Sequence, residues 1–179
     1  METLPFRAAP TLETDRLILR GHRINDFQPL AAMWGDPEVT EFIGEPSNES
    51  RSWGRLLTYC GLWPLLGFGY WTVQERTSGA YVGDVGFADF RRELVPSIAG
   101  IPEVGWVLAA PMHAKGYATE AVRAALAWAD GHLESKRTVC IIAPENEASI
   151  RVARKVGFEE YARTTYAGGP TLIFERTAP

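Results

Sequence analysis

The longest helical pattern in the sequence begins at Gly116 and lies between two segments with the character of β-strands. Apolar residues recur there at the three- and four-residue spacing of one helix face: Ala118, Ala121, Val122, Ala125, Leu126, Ala129 and Leu133. Before it, Glu103–Leu108 is typical of a strand, and residues 137–143 form a β-branched run without polar alternation, which predicts a strand buried on both faces. This order requires a sheet that is covered by helices.

The segments before this unit also alternate between helix and strand. Leu17–Arg20 predicts a first strand, and Asn25 or Asp26 is a candidate cap for a helix that follows. The apolar stripes of two helices are expected to face the core: Phe27, Leu30, Ala31 and Trp34 in the first, and Trp53, Leu56, Leu57 and Cys60 in the second. Gly61 and Pro64 are expected to end the second helix.

Strands and one short helix account for the other patterned segments. Residues 68–74 and 81–87, separated by the turn Thr77-Ser78-Gly79, predict an antiparallel hairpin. Residues 148–156 predict a helix that follows Asn146 and ends at Gly157. Residues 158–166 and 171–176 predict two last strands joined at Gly168-Gly169-Pro170. The whole order predicts an α/β fold with a mixed sheet, in a single domain over residues 1–179.

Bulk properties exclude several classes of function. A formal net charge of −4 argues against nucleic acid as a partner. The sequence has neither a charged start followed by an apolar run nor an apolar stretch of about 18 residues, so we expect a cytoplasmic chain without membrane contact. The three histidines lack ligand spacing, so no metal is expected. Cys60 and Cys140 are expected to be inert, buried thiols.

The segment Pro111–Ala121 joins a strand to the long helix and has the features of an anion site. The first amides of a helix have no internal acceptors, and the helix dipole places partial positive charge there. Gly116 lets a ligand approach the backbone, Ala118 keeps the helix surface low, and Lys115 adds a cation. A pyrophosphate suits such a turn. By itself, however, this pattern is equally typical of an ordinary helix start.

Three motifs resemble landmarks of the GNAT acetyltransferase superfamily. His113-Ala-Lys-Gly116-Tyr-Ala118 resembles its signature Gln/Arg-x-x-Gly-x-Gly/Ala, with His113 as the one departure. The extension to Ala121 resembles the branch that acetylates the N-terminal amines of ribosomal proteins. Residues 146–158 match that branch's Asn-x-x-Ser followed by Lys-x-Gly-Phe, and Thr14-Asp-Arg-Leu-Ile-Leu-Arg20 matches its opening.

The resemblance implies a fold, a cosubstrate and a binding site. The fold is a mixed, mostly antiparallel central sheet with a splayed strand pair and helices on both faces. The cosubstrate is acetyl-CoA, whose pantetheine arm lies in the splay. On the strand, the implied contacts are backbone groups of Trp106, Val107 and Leu108. Around the pyrophosphate they are Lys115, Gly116, Tyr117, Ala118 and Thr119. Asn146 is implied to lie beside the pantetheine, and Ser149 near the sulfur. Asn146 is equally a candidate helix cap.

The implied reaction is direct attack of an amine on the thioester in a ternary complex. An alkylamine with a pKa near ~10.4 is almost wholly protonated at neutral pH, so a base helps. Glu103 is the first candidate, with Asp84 and Glu41 in reserve; a solvated strand-end carboxylate is the alternative interpretation of Glu103. Ser149 is a candidate donor to the departing sulfur. Glu120 is assigned no chemistry, because an acid in the first helical turn complements the dipole.

The acceptor is not defined by the sequence. Six aromatic residues near the expected acceptor wall could clasp an amine by cation–π contact or could simply belong to the core: Trp34, Phe42, Trp53, Trp63, Tyr70 and Trp71. The acceptor is an amine-bearing small molecule or a peptide N-terminus, and a homodimer stays open. The alternative function is a catalytically silent acyl-CoA-binding module that acts through a partner.

Overall fold

The computed structural model describes residues 8–179, which contain one eight-stranded sheet. The strands are β1 (Leu12–Glu13), β2 (Leu17–Arg20), β3 (Tyr70–Glu75), β4 (Tyr81–Ala88), β5 (Glu103–Leu108), β6 (Arg137–Ile142), β7 (Glu159–Tyr166) and β8 (Gly169–Thr177). Their order across the sheet is β1-β2-β3-β4-β5-β6-β8-β7. Every neighbouring pair is antiparallel except β5 and β6, which are parallel. The predicted mixed, mostly antiparallel sheet is therefore confirmed.

Five helices pack on the two faces of this sheet. They are α1 (Phe27–Trp34), α2 (Pro37–Thr40), α3 (Glu49–Leu66), α4 (Tyr117–His132) and α5 (Glu147–Lys155). Side chains alternate along a strand, so Phe87 of β4 packs in the cluster that contains the apolar face of α4, whereas Ala88 packs with α1 and α3. We call these two sides of the sheet the α4 face and the α3 face. None of the helices within residues 8–179 is long and apolar enough to cross a membrane.

The helix α3 differs from the sequence prediction in its length. It continues through Gly61 and Pro64 to Leu66 and ends at Gly67, which has the left-handed φ of 77° that a glycine cap adopts readily. A proline inside a helix removes one backbone donor, here the partner of the Cys60 carbonyl. Cys60 is exposed, so water can replace that donor. The prediction that Gly61 and Pro64 end the helix was wrong.

The buried face of α3 also differs from the predicted stripe. Leu56, Tyr59, Leu62 and Trp63 are buried, whereas Trp53 and Leu57 are 39% and 54% exposed. Cys60 is exposed as well, which contradicts its predicted burial, while Cys140 in β6 is buried as predicted. The long helix places its aromatic residues on two sides, so the spacing alone did not identify which side faces the sheet.

Strands β5 and β6 are splayed, as the sequence resemblance implies. Their register contains a single pair, Glu103 with Val139, supported by a hydrogen bond of 3.1 Å from the Val139 amide to the Pro102 carbonyl. Beyond this pair the strands diverge, and Gly105, Trp106 and Val107 are only half-buried. The sheet therefore opens into a V, which we call the β5–β6 gap.

The carboxylate of Glu120 on α4 binds the segment between β1 and β2. Glu120 accepts hydrogen bonds from the Thr14 hydroxyl at 2.6 Å, from the Arg16 amide at 3.0 Å and from Arg16 Nε at 2.7 Å. Burial raises the pKa of Glu120, but these hydrogen bonds outweigh it and leave the pKa below its usual value. Glu120 therefore has a structural role at the first turn of α4.

We predict that Glu120→Gln lowers the free energy of unfolding at pH 7 by roughly 1–3 kcal/mol, because hydrogen bonds to a charged acceptor are lost. A carboxylate whose folded pKa is lowered stabilises the fold above its unfolded pKa, and this contribution disappears as pH falls through the folded pKa. Urea denaturation at pH 7 and at about pH 3 should therefore give a large and then a small difference. Glu93→Gln, at an exposed position, is the control; an equal loss in both variants would contradict the role of Glu120.

Candidate functional site

The β5–β6 gap is lined on one side by the strand backbone that the sequence resemblance singled out. Because β5 pairs with β6 only at Glu103, the backbone of Trp106, Val107 and Leu108 has no strand partner on that side within residues 8–179. Unpaired backbone groups of this kind are available to a ligand. The Leu108 carbonyl has one further partner, the ring Nε2 of His113 at 2.8 Å. His113 thus fixes the turn after β5, a role that its motif position did not predict.

The turn at the wide end of the gap presents a free helix N-terminus. Gly116 is the N-cap of α4 with a φ of 80°, which favours glycine. The following amides, at Tyr117, Ala118 and Thr119, precede the first intrahelical hydrogen bond, from the Glu120 amide to the Gly116 carbonyl. Such amides and the helix dipole attract an anion. The sequence-predicted segment therefore has the backbone geometry of a phosphate site.

Arg16 is a cation at this turn that the sequence analysis did not include in the site. Its guanidinium donates to the Lys115 carbonyl at 2.9 Å and lies over the Tyr117 ring, 4.6 Å from the centroid. It also borders a surface cleft of about 550 Å³ that Gly116, Thr119 and Arg123 help to line. Arg16 lies 104 positions from its partner Glu120, so its place at the turn had no local signal.

The side chain of Tyr117 packs inside the fold. The Tyr117 side chain is buried, and its hydroxyl donates to Glu75 on β3. This bond raises the pKa of Tyr117, so the phenol stays protonated at neutral pH. Lys115 and Gly116 are exposed, while Ala118 and Thr119 are half-buried. The five predicted phosphate-site residues are therefore contiguous and differ in what they offer a ligand.

The loop after β6 flanks the gap from the other side. Parallel strands have their carboxyl ends on the same edge, so this loop and the Gly116 turn lie at the wide end of the gap. Asn146 caps α5, since its side-chain oxygen accepts from the Ser149 amide at 3.0 Å. The predicted cap is confirmed, and the cap uses the side-chain oxygen and not the amide nitrogen. Ser149 is half-buried in the first turn of α5.

Glu103 lies at the narrow end of the gap in an ion pair. Both of its carboxylate oxygens accept from Arg92, at 2.7 and 2.9 Å, and the residue is 5% exposed. The solvated alternative is therefore wrong. Burial lowers the pKa of Arg92, but the bonds to Glu103 outweigh it and raise the pKa above its usual value. The role of Glu103 as a base stays a prediction. Both of its carboxylate oxygens already accept hydrogen bonds from the Arg92 guanidinium.

Glu41 and Asp84, the two alternative candidates for the base, differ in their exposure to solvent. Glu41 is exposed after α2. Asp84 on β4 is buried on the α3 face, and its Oδ1 lies 2.8 Å from His22 Nε2. Both of these side chains have no solvent exposure. Asp84 is thus a buried carboxylate that is hydrogen-bonded to an imidazole, and the separation of 62 positions gave the sequence analysis no local signal for this pair.

Two glycines on the α3 face leave room for a tyrosine that crosses the sheet. A Cβ on Gly105 of β5 would lie 2.1 Å from the Tyr70 hydroxyl oxygen, and a Cβ on Gly86 of β4 would lie 2.3 Å from the Tyr70 Cα. The Tyr70 ring also stacks on Tyr59, with centroids 4.3 Å apart. Burial, with a smaller contribution from Glu103, raises the pKa of Tyr70 well above its usual value. The phenol is therefore a hydrogen-bond donor beside β5.

The six aromatic residues of the expected acceptor wall divide into three groups. Trp63, Tyr70 and Trp71 are buried and belong to the packed core. Trp34 is half-buried beneath the Arg55 guanidinium, which lies 3.5 Å from its ring centroid. Phe42 and Trp53 are exposed. Within residues 8–179, no three His, Cys, Asp or Glu side chains are grouped to hold a metal ion.

Comparison with known proteins places this geometry in a family. Residues 16–159 match the family model described as an acetyltransferase (GNAT) domain. A curated relative, an uncharacterized N-acetyltransferase, YoaA, of Bacillus subtilis, is 26% identical over 153 residues, which cover 84% of each chain. The structure of a putative GnaT-family acetyltransferase from Bordetella pertussis is 31% identical, with a TM-score of 0.83, and covers 94% of this chain and 99% of that one.

Two further solved structures share the fold at lower identity. A ribosomal-protein-S5-alanine acetyltransferase from Vibrio fischeri is 18% identical, with a TM-score of 0.75 over 94% of this chain and 97% of that chain. A spermidine N-acetyltransferase from Vibrio cholerae, solved in complex with CoA and spermine, is 15% identical, with a TM-score of 0.72 over 92% and 97%. At these identities the likeness shows the fold alone.

We predict that Gly105→Ala destabilises the fold by about 1–3 kcal/mol, because the new methyl group meets the Tyr70 hydroxyl. Tyr70→Phe removes that oxygen and leaves the ring carbon Cζ at 3.2 Å, so the double variant should recover most of the loss. Urea denaturation of the four proteins measures this coupling.

Gly86→Ala is the matched control for this cycle. Its Cβ would lie 2.3 Å from the Tyr70 Cα and 2.4 Å from the Gly69 carbonyl oxygen, so its clash is with backbone. Tyr70→Phe should not relieve it. Equal rescue of both alanine variants would contradict the predicted contact between Tyr70 and Gly105.

Proposed function

The chain belongs to the GNAT acetyltransferase family and is an acetyltransferase, and we propose that it transfers the acetyl group of acetyl-coenzyme A to a primary amine. The observation that carries this proposal is the β5–β6 gap, whose wide end leads to the helix amides at Gly116. A gap edged by unpaired backbone suits an extended, amide-containing arm, and the helix amides suit the phosphates at its end.

The coenzyme contacts follow the two sides of the gap. Backbone groups of Trp106, Val107 and Leu108 would hold the pantetheine amides. Lys115 to Thr119 would hold the pyrophosphate, with Arg16 as an added cation at the same turn. Across the gap, the side-chain amide nitrogen of Asn146 would donate to the pantetheine. The fold shared with a spermidine N-acetyltransferase that was solved with CoA supports this arrangement.

The residues around the gap would polarise the thioester carbonyl and transfer protons during the reaction. Acetyl-coenzyme A supplies an acetyl group already activated as a thioester. A backbone amide of β5 would polarise the carbonyl, an oxyanion-type contact. The Ser149 hydroxyl would donate to the sulfur as it leaves. Glu103 and Asp84 are the two buried carboxylates of the α3 face that compete for the role of base.

The acceptor that we propose is an amine-bearing small molecule or a peptide N-terminus. The Gly116-Tyr-Ala-Thr-Glu-Ala121 motif favours the α-amine of a peptide, because it resembles the branch that acetylates ribosomal proteins. A neighbour named for ribosomal protein S5 alanine and another named for spermidine share the fold. The acyl-CoA-binding module without activity is the competing function, and the matches to acetyltransferases do not favour it.

We predict that acetyl-coenzyme A raises the melting temperature of the chain, because a ligand that binds only the folded state stabilises it. Gly116→Glu should abolish the shift, since a carboxylate would occupy the phosphate turn. Two variants are the controls. Gly116→Ala measures the effect of backbone strain at the positive φ alone. Gly131→Glu places the same side chain near the other end of α4, where a new Cβ would have nothing within 4 Å. A full shift in Gly116→Glu would exclude this turn as the phosphate site.

We predict thiol release when acetyl-coenzyme A is mixed with the right amine. The panel contains N-terminal peptides, spermidine, an aminoglycoside and amino-acid derivatives. An α-amine has a pKa near ~7.7–8.0, so its rate should level off near pH 8, whereas the rate for an alkylamine should rise towards pH 9. A plateau with peptides supports the α-amine. Binding of the coenzyme without thiol release from any amine would favour the silent module.

A further inference from the structure

The α3 face contains a buried polar cluster that the coenzyme site does not use. Asp84 Oδ1 pairs with His22 Nε2, and neither side chain has any solvent exposure. Within the described residues, Asp84 Oδ2 and His22 Nδ1 have no hydrogen-bond partner. Buried polar atoms without partners are rare, and a catalytic or ligand-binding role is one of the few reasons for them.

Further polar and aromatic groups surround this pair. Thr72 on β3 lies directly opposite Asp84, and its hydroxyl is likewise buried without a partner among residues 8–179, as is the Tyr81 hydroxyl. The Tyr59 ring lies 5.1 Å from the His22 ring and stacks on Tyr70. A carboxylate beside aromatic rings is an environment that attracts an ammonium group.

The cluster lies next to the strand that borders the gap. Asp84 is the register partner of Val107 on β5, and adjacent strands are only about 4.8 Å apart. An amine held here would therefore lie one strand away from the β5–β6 gap.

Protonation would affect the hydrogen-bond partners of Asp84 and Glu103 differently. Protonating Glu103 would leave Arg92 as a largely buried cation without its counter-ion, which is unfavourable. Asp84 has a histidine partner that can donate from Nε2 whether the carboxyl group is charged or neutral. Within residues 8–179 its second oxygen has no hydrogen-bond partner, and the Tyr81 hydroxyl, whose pKa Asp84 helps to raise, is the donor nearby. The geometry thus favours Asp84 for a group that changes its charge during each turnover.

We propose that Asp84, held in place by His22, binds the amine of the acceptor and takes its proton, which extends the acetyl-transfer function proposed above. An ammonium substrate loses two protons. The first passes to Asp84 Oδ2 and on to water, and the neutral nitrogen then forms the C–N bond as the C–S bond breaks. The second leaves the amide nitrogen and balances the departing thiolate, so the products are the amide, the thiol and one released proton.

Several titratable groups surround the pair of Asp84 and His22. They are Asp26 before α1, Tyr70 on β3, Tyr81 on β4, Glu103 on β5, and Arg55 and Tyr59 on α3. Burial raises the pKa of Tyr59, Tyr70 and Tyr81, with additional effects from neighbouring carboxylates, so all three phenols stay neutral near pH 7. A pH profile taken between pH 6 and pH 9 therefore does not titrate them.

The test is a comparison of kcat in Asp84→Asn and wild type, with the most active amine of the panel above. We expect kcat to fall by about 10²–10⁴-fold, the usual range for general base catalysis. The residual kcat should rise about tenfold per pH unit up to the pKa of the amine, because the variant depends on amine that is already neutral. The melting-temperature shift with acetyl-coenzyme A should be unchanged.

Three further variants separate chemistry from folding. Asp84→Glu should recover part of the kcat that Asp84→Asn loses. His22→Gln should lower kcat by roughly 10- to 100-fold with coenzyme binding intact, as expected of a positioning residue. Asp130→Asn removes a carboxylate outside this cluster, the ion-pair partner of Arg176, and should cost stability while leaving kcat unchanged.

Full kcat with a wild-type pH profile in folded Asp84→Asn would overturn the proposal. If Asp84→Asn fails to fold, wild-type kcat in His22→Gln would overturn it equally. A loss confined to Glu103→Gln would assign the base to the other carboxylate. Absence of transfer by the wild-type chain to any amine would instead overturn the proposed function, and the role of Asp84 with it.

Discussion

The divergence of β5 from β6 is the constraint on which the rest of the structure depends. A parallel pair with one register contact contributes little, so the sheet consists of two well-paired parts, β1 to β5 and β6 to β8, that meet at Glu103 and Val139. The stability of the junction must come from packing across it. The apolar face of α4 supplies much of this packing, since Ala121, Val122 and Ala125 are buried in the same cluster as residues from both parts.

The same helix that supports the junction also provides its anion site, which creates an electrostatic conflict at the first turn. Glu120 there is favourable to the helix dipole but would repel a phosphate. Arg16 resolves the conflict because its guanidinium lies 2.6 Å from the Glu120 carboxylate and donates to the Lys115 carbonyl. The ion pair neutralises the local charge and leaves the Tyr117, Ala118 and Thr119 amides ahead of the first intrahelical hydrogen bond. The bend between β1 and β2 thereby stabilises both the helix and the charge balance of the turn.

Most elements could be predicted from the sequence because their signals are local. The predicted bounds of β5 agree with the structure, Asn146 was identified as a candidate cap of α5, and the match to the acetyltransferase family confirms the resemblance carried by the motifs. The failures have two physical causes. First, Gly61 and Pro64 did not end α3, because water can bind the carbonyl group on the exposed side of the helix that lacks a backbone donor. Second, the spacing of the aromatic residues in α3 did not distinguish its buried side from its exposed side.

The site itself was only half predictable, because its polar partners are distant in sequence. Backbone contacts at the gap and at Gly116 follow from strand and helix ends, which short motifs encode. The side-chain environment does not: Glu103 meets Arg92 across a loop, and Asp84 meets a histidine 62 positions away. Both carboxylates are buried on the same face, yet one neutralises a guanidinium and the other shares a hydrogen bond with an imidazole. Two carboxylates on the same face thus have different partners, and the tertiary structure alone determines which partner each one has.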